Sequence, residues 1–216
     1  IEKGWKIKEL HRLILHSSTW LQDSSWDRKS SEIDSESRLL WRFPPRRLEA
    51  ESIRDTMLSL SGKLNPQMGG PSYKPFSISS FGSSFYKIRD QEGPQFDRRS
   101  IYRMNVNSGK DPLLDVFDCP DPSVKAPRRS STTTPLQALS LMNNSLVQRL
   151  SKSFSARLEQ ETKKDGGDSI ERAWLYAFAR KPSGEEQKRC EALAKDHGLD
   201  TVCWAIFNAS EFLYVR

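Results

Sequence analysis

Apolar residues recur at helical spacing along most of the chain. Ile7, Leu10, Leu13, Ile14 and Leu21 fall on one side of a predicted amphipathic helix from Lys6 to about Leu21, with Lys6, Lys8 and Arg12 on the other. From Asp23 to Ser37 the periodicity stops and Ser, Asp and Glu take over, which predicts a mobile loop. Pro44 and Pro45 disfavour helix before them and permit one after. That second helix carries Leu48, Ala50, Ile53, Met57 and Leu60 as its buried stripe, and Gly62 supplies a left-handed stop.

Between Lys63 and Arg99 the composition shifts to Gly, Pro, Ser and aromatics, predicting a long binding loop or a hairpin. Within Ile101–Val106, Tyr102, Met104 and Val106 alternate, which makes this segment the best strand candidate. Helices then resume with marked boundaries. Asp111 caps a short helix with Pro112 at its first position, ending near Asp118. Thr134, Pro135 and Gln137 spell a capping box, Asn143–Asn144 interrupt the helix it opens, and Gly166–Gly167 end the continuation. Asp168 with Glu171, and Ser183 with Glu186, start two more, and a last helix runs from about Asp200 to Asn208. The expected fold is mainly α: one multi-helix domain over 1–216, with N-terminal helices in 1–62, a loop or hairpin excursion in 63–107 and a helical remainder in 108–216.

Composition adds few functional constraints. The 216 residues are 36% hydrophobic and 29% charged, and no apolar run approaches a membrane-spanning length. A net charge of +6 admits anionic glycans, nucleic acid or an acidic neighbouring domain as partners. Nucleic-acid binding competes because the chain also holds six Trp and ten Phe, but Trp174 and Trp204 sit in helical stripes and read as core. The three cysteines form no CxxC; Cys190 and Cys203 fall on consecutive predicted helices and could meet in one bridge, against the favoured reading that they are free and serve as small core residues. No C-x-x-C-H haem attachment, P-loop or dinucleotide-binding glycine pattern is present, so no cofactor is expected within this segment.

Candidate chemistry is sparse. His11 and His16 lie five apart, at different angles on a helix, and make no metal pair; His197 reads as a helix-end residue. Asp115, Asp118 and Asp121 form the sharpest carboxylate cluster, the type of grouping that binds calcium or supplies an acid and a base to a glycosidic bond. The same residues also suit turns beside Pro120 and Pro122, with Arg128 and Arg129 neutralising them. Arg98 and Arg99, together with Arg128 and Arg129, are the candidate binding contacts, against the favoured reading that most arginine pairs make structural ion pairs. Tyr73, Phe76 and Tyr86, with Phe81 and Phe85, are the aromatics to test for glycan stacking, against the plainer reading that they pack the excursion onto the helices.

Several separated blocks carry a family resemblance: GWKIKELHRLILHSSTW from Gly4, SRLLWRFPPRRLEAESIRDTMLSLSGKL from Ser37, MGGPS from Met68 and RRSIYRMNV from Arg98. To these add the span from Asp111 to Val147, IERAWLYAFARKPSGEEQ from Ile170 and NASEFLYVR from Asn208. In this order they resemble the planctomycete-type C-terminal domain of unknown function, which lies downstream of cytochrome c-like and other uncharacterised modules in large secreted proteins. The resemblance implies an extracytoplasmic, mainly helical module, a fragment lacking the domain's beginning, with upstream domains of the same polypeptide as partners. It also implies haem on an upstream module in some members and an association with complex polysaccharides, and it brings no catalytic residues. The expected function is therefore a non-catalytic structural or interaction module. A glycan-active hydrolase using Asp115, Asp118 or Asp121 is the alternative, and a basic nucleic-acid-binding domain the second.

Overall fold

The computed structural model describes residues 1, 4–81, 83–106 and 109–215, with the side chains of 80–85 outside the description. It is mainly helical and divides into two units, one comprising Ile1–Arg47 with Tyr214–Arg216 and the other Leu48–Leu213.

The first unit holds helix α1 (Ile7–Leu15), helix α2 (Arg28–Ile33) and strand β1 (Arg46–Arg47), which pairs antiparallel with β4 (Tyr214–Val215). The segment expected as a loop contains α2 because Asp27 caps it, its carboxylate accepting from the Ser30 N–H at 2.7 Å. Trp41 closes the following turn, its indole Nε1 donating to the Asp34 carbonyl at 2.7 Å. Among the described residues, every buried apolar side chain lies from Ala50 onward, so this unit shows no apolar core of its own there.

The second unit contains that core. Helix α3 (Ala50–Leu60) buries Ile53, Met57 and Leu58, and the chain leaves it through Gly62 at φ +70°. Next comes a hairpin of β2 (Phe76–Phe81) and β3 (Ser83–Ile88), with Phe76 opposite Ile88 and Ile78 opposite Tyr86. Ile101–Val106 is not a strand: Ser100–Tyr102 form a 3-10 turn, and only Arg103 bridges to Tyr73. The Tyr73 N–H donates to the Tyr102 carbonyl and the Met104 N–H to the Tyr73 carbonyl, both at 2.9 Å, a single rung rather than a ladder.

Five helices follow: α4 (Pro135–Asn143), α5 (Ser145–Asp165), α6 (Ser169–Phe178), α7 (Gly184–His197) and α8 (Leu199–Asn208); a final turn, α9 (Ser210–Leu213), follows them. Two of the three predicted capping boxes form, at Thr134 with Gln137 and at Ser183 with Glu186; at Asp168 the side-chain cap forms but Glu171 does not complete the box. Asp168 Oδ1 accepts from the N–H groups of Ile170 and Glu171, while the Glu171 carboxylate pairs with Lys181 at 2.7 Å. Helices α5 and α8 form the central pair, where Phe154 stacks on Phe207 with centroids 5.8 Å apart and both are fully buried. Arg180 ties the far end together, donating to Glu186 of α7 at 3.0 Å and to Glu211 of α9 at 2.8 Å while lying over the Trp174 ring. The three thiols are free, with Cys203 buried and Cys190 half-buried, as the reading of small core cysteines expects.

Candidate functional site

The aspartate cluster is spread over three separate jobs. Asp111 Oδ1 accepts from the N–H groups of Leu113 and Leu114 at 2.9 Å each, opening a tight run of turns rather than a regular helix. That run ends at Asp118, held at φ +63°, whose carboxylate accepts from the Thr132 N–H and hydroxyl at 2.8 Å. Asp121 accepts from the Ser123 N–H at 2.8 Å, and the Ser123 hydroxyl bond lowers its pKa. Asp115 has its carboxyl raised by desolvation and by the charge of Asp111. Asp115 and Asp121 line one shallow depression of about 210 Å³ with Lys110 and Cys119; Asp118 is not part of its wall.

The candidate arginines also separate. Arg129 turns away from the aspartates and grips Glu51 at 2.7 and 3.0 Å, with Glu49 at 3.3 Å; Arg128 is exposed. Burial opposes ionisation of Glu51, but the Arg129 hydrogen bonds and charge outweigh it and hold the carboxyl below its ordinary range. Burial and that same Glu51 push the Cys119 thiol up to about 11, so it is not a thiolate nucleophile at neutral pH. Arg98 is buried; it donates to the carbonyls of Gln67, Gly69 and Pro71 and lies 4.1 Å over Tyr102, which fixes the MGGPS segment. Arg99 is exposed, 3.7 Å from Asp55.

Among the aromatics, Tyr73 is buried edge-on to Phe96 at 6.3 Å, and buried Phe76 meets half-buried Tyr86 at 5.1 Å. Phe81 and Phe85 have side chains outside the described residues.

Tyr73 leads to a feature that the sequence did not expose. It lines a cavity of about 80 Å³ bounded by α3, the hairpin's outgoing end, the Asp111–Leu113 turn and the start of α5. Arg54, Arg89, Arg103 and Arg149 contribute to its wall. Arg54 donates to the Phe96 carbonyl at 2.8 Å, the Arg98 carbonyl at 2.9 Å and the Ser100 hydroxyl at 3.2 Å. Arg149 holds Asp90 at 2.9 Å and Asp97 at 3.5 Å. Burial works against the Arg149 cation, but Asp90 and its neighbours more than compensate; burial raises the Asp97 carboxyl despite Arg149. Arg103, with a side chain only 7% exposed, stands 3.3 Å from Asp111 Oδ2, yet its Nε and Nη2 make no hydrogen bond. The Tyr73 hydroxyl likewise has no hydrogen-bond partner, and burial raises its pKa. The one available hint was Arg54 itself, which sits on the buried stripe of its helix between Ile53 and Met57 where an apolar residue is expected.

Among the described residues, no cluster of three or more His, Cys, Asp or Glu side chains is placed to hold a metal ion, and no helix is long and apolar enough to cross a membrane. The molecule is thus a mainly helical module with an arginine-lined cavity beside Tyr73. Residues 1–194 match the family described as a protein of unknown function (DUF1553), PSD1, and the chain belongs to that family. No curated protein and no solved structure matches it.

Proposed function

We propose that this chain is a non-catalytic structural or interaction module of a larger secreted or cell-envelope multidomain protein that works on complex polysaccharides, and that it docks other parts of that polypeptide through α1. The observation that supports this reading is the apolar stripe of α1. Ile7, Leu10, Leu13 and Ile14 are 69%, 56%, 67% and 45% exposed, and α1 buries none of its residues. Contiguous apolar surface of this kind is costly in water and typical of interaction sites. Trp5 extends it, lining with Ile7, Leu10 and Leu13 an open apolar groove. The partner is another domain of the same polypeptide, because the unit carrying α1 has no apolar core among its described residues and a covalently attached neighbour supplies one at high effective concentration.

Hydrogen exchange on the full-length polypeptide tests this. Amides of Ile7–Leu15 should exchange slowly in the parent and at the rate of an uncovered helix in the Leu10→Glu/Leu13→Glu variant. Equally fast exchange in both would remove the docking role. The hydrolase alternative is tested separately by Asp115→Asn and Asp121→Asn in the same polypeptide, which should leave any polysaccharide turnover unchanged; loss of turnover with the fold intact would establish a catalytic role instead.

A further inference from the structure

We infer that the cavity beside Tyr73 is a binding site for a small oxyanion, a carboxylate or a tetrahedral sulfate or phosphate group. Its wall has Arg54, Arg89, Arg103 and Arg149 against Asp90 and Asp111; Asp55 and Asp97 also face Arg54 and Arg149, and Arg89 is the wall arginine with no carboxylate at ion-pair distance among the described residues. Two of the groups in that wall are donors without acceptors: the Tyr73 hydroxyl, on a residue 8% exposed, and Arg103 Nε. Burying a donor without a partner is costly, so their presence together marks a place where an acceptor is missing. The start of α5, a helix of 21 residues, forms another side of the cavity at Asn144–Leu146 and adds the positive end of its dipole. At about 80 Å³ the space is several times the ~10–15 Å³ that one water needs, which leaves room for a compact anion.

The chemistry favours an anion over a neutral ligand. Arginine presents planar donors that match carboxylate, sulfate and phosphate oxygens, and a tyrosine hydroxyl adds one more donor from the side. Arg54 and Arg149 are already satisfied by protein acceptors, so they supply field, whereas Tyr73 and Arg103 supply the direct bonds.

Isothermal titration of the chain with acetate, sulfate and phosphate in turn, in a weakly binding buffer, tests the inference. At least one anion should bind saturably with a 1:1 ratio and raise the melting temperature as its concentration rises. The arm that binds identifies carboxylate or tetrahedral chemistry. Tyr73→Phe removes only the unpartnered hydroxyl; it should weaken binding about tenfold while leaving the anion-free melting temperature equal or higher. Arg89→Gln, at an exposed position of the wall, should weaken binding without a folding risk. No saturable binding by any of the three, or binding indifferent to both variants, overturns the proposal and leaves a cavity that holds water only.

Discussion

Replacing Arg54 by Ala should be among the most damaging single changes outside the apolar core. The side chain is 9% exposed and gives three charge-assisted hydrogen bonds, to Phe96 O, Arg98 O and Ser100 Oγ. It also lies 3.4 Å from Asp55, whose Oδ1 accepts from the Ser100 N–H at 2.8 Å and hydroxyl at 2.7 Å. At about 1.5–3 kcal/mol per bond to a charged group, the gross loss is roughly 4–9 kcal/mol. Two effects reduce it: the variant no longer desolvates a guanidinium, and water reaches Asp55, which is 20% exposed. The expected net loss is about 3–5 kcal/mol, the usual cost of removing one partner from a buried ionic network. Against a typical domain stability of about 5–15 kcal/mol, that is a large fraction. Urea unfolding followed by tryptophan fluorescence, with linear extrapolation, measures it. Arg54→Lys should recover less than half, because an ammonium cannot span carbonyls set out for a planar fork. A loss below about 1 kcal/mol for Arg54→Ala would refute the reasoning, since it would mean the three acceptors are satisfied as well by water.

Phe154→Ala, which empties the centre of the α5–α8 pair, should cost about 3–5 kcal/mol in the same assay; a value under about 2 kcal/mol would move the core elsewhere. The Glu186 carboxyl is held down at about 2, against an ordinary 4.5, by its hydrogen bonds to Arg180 and to the Ser183 N–H. Because the folded value is the lower one, this contribution is complete above the ordinary value and fades as pH falls toward about 2; Glu186→Gln should therefore flatten the acid limb of the urea midpoint plotted against pH. Gly62→Ala should cost about 1–2 kcal/mol by thermal unfolding, since the residue sits at φ +70° and an added Cβ would meet Arg157 Cδ at 3.2 Å.

How far the chain could be read before folding depended on the distance over which each feature is decided. The caps at Thr134, Asp168 and Ser183 were legible, as were the left-handed stop at Gly62 and the helix break at Gly166, because each is settled between groups two to four residues apart. Apolar stripes were legible for the same reason, and they identified the mainly helical class. The short α2 was missed because its polar residues have no stripe, although Asp27 and Ser30 had the spacing of a cap. The alternation of Tyr102, Met104 and Val106 misled because a strand needs a partner, and here only one rung forms, across to Tyr73. The hairpin won instead at 76–88, where Phe76, Ile78, Tyr86 and Ile88 pair across the strands.

The sequence by itself determined where helices start and stop and which of their faces are apolar, since backbone caps and side-chain periodicity are satisfied within a turn or two of chain. Only the tertiary structure decided which charges meet. Arg129 takes Glu51, 78 positions away, rather than a neighbouring aspartate, and Arg54 takes acceptors 42 to 46 positions on. The cavity walled by Tyr73, Arg103 and the start of α5 likewise exists only once the helices have packed. Long side chains choose partners after the core has set which surfaces converge, and the energy of that choice depends on burial, a property that no local stretch of residues carries.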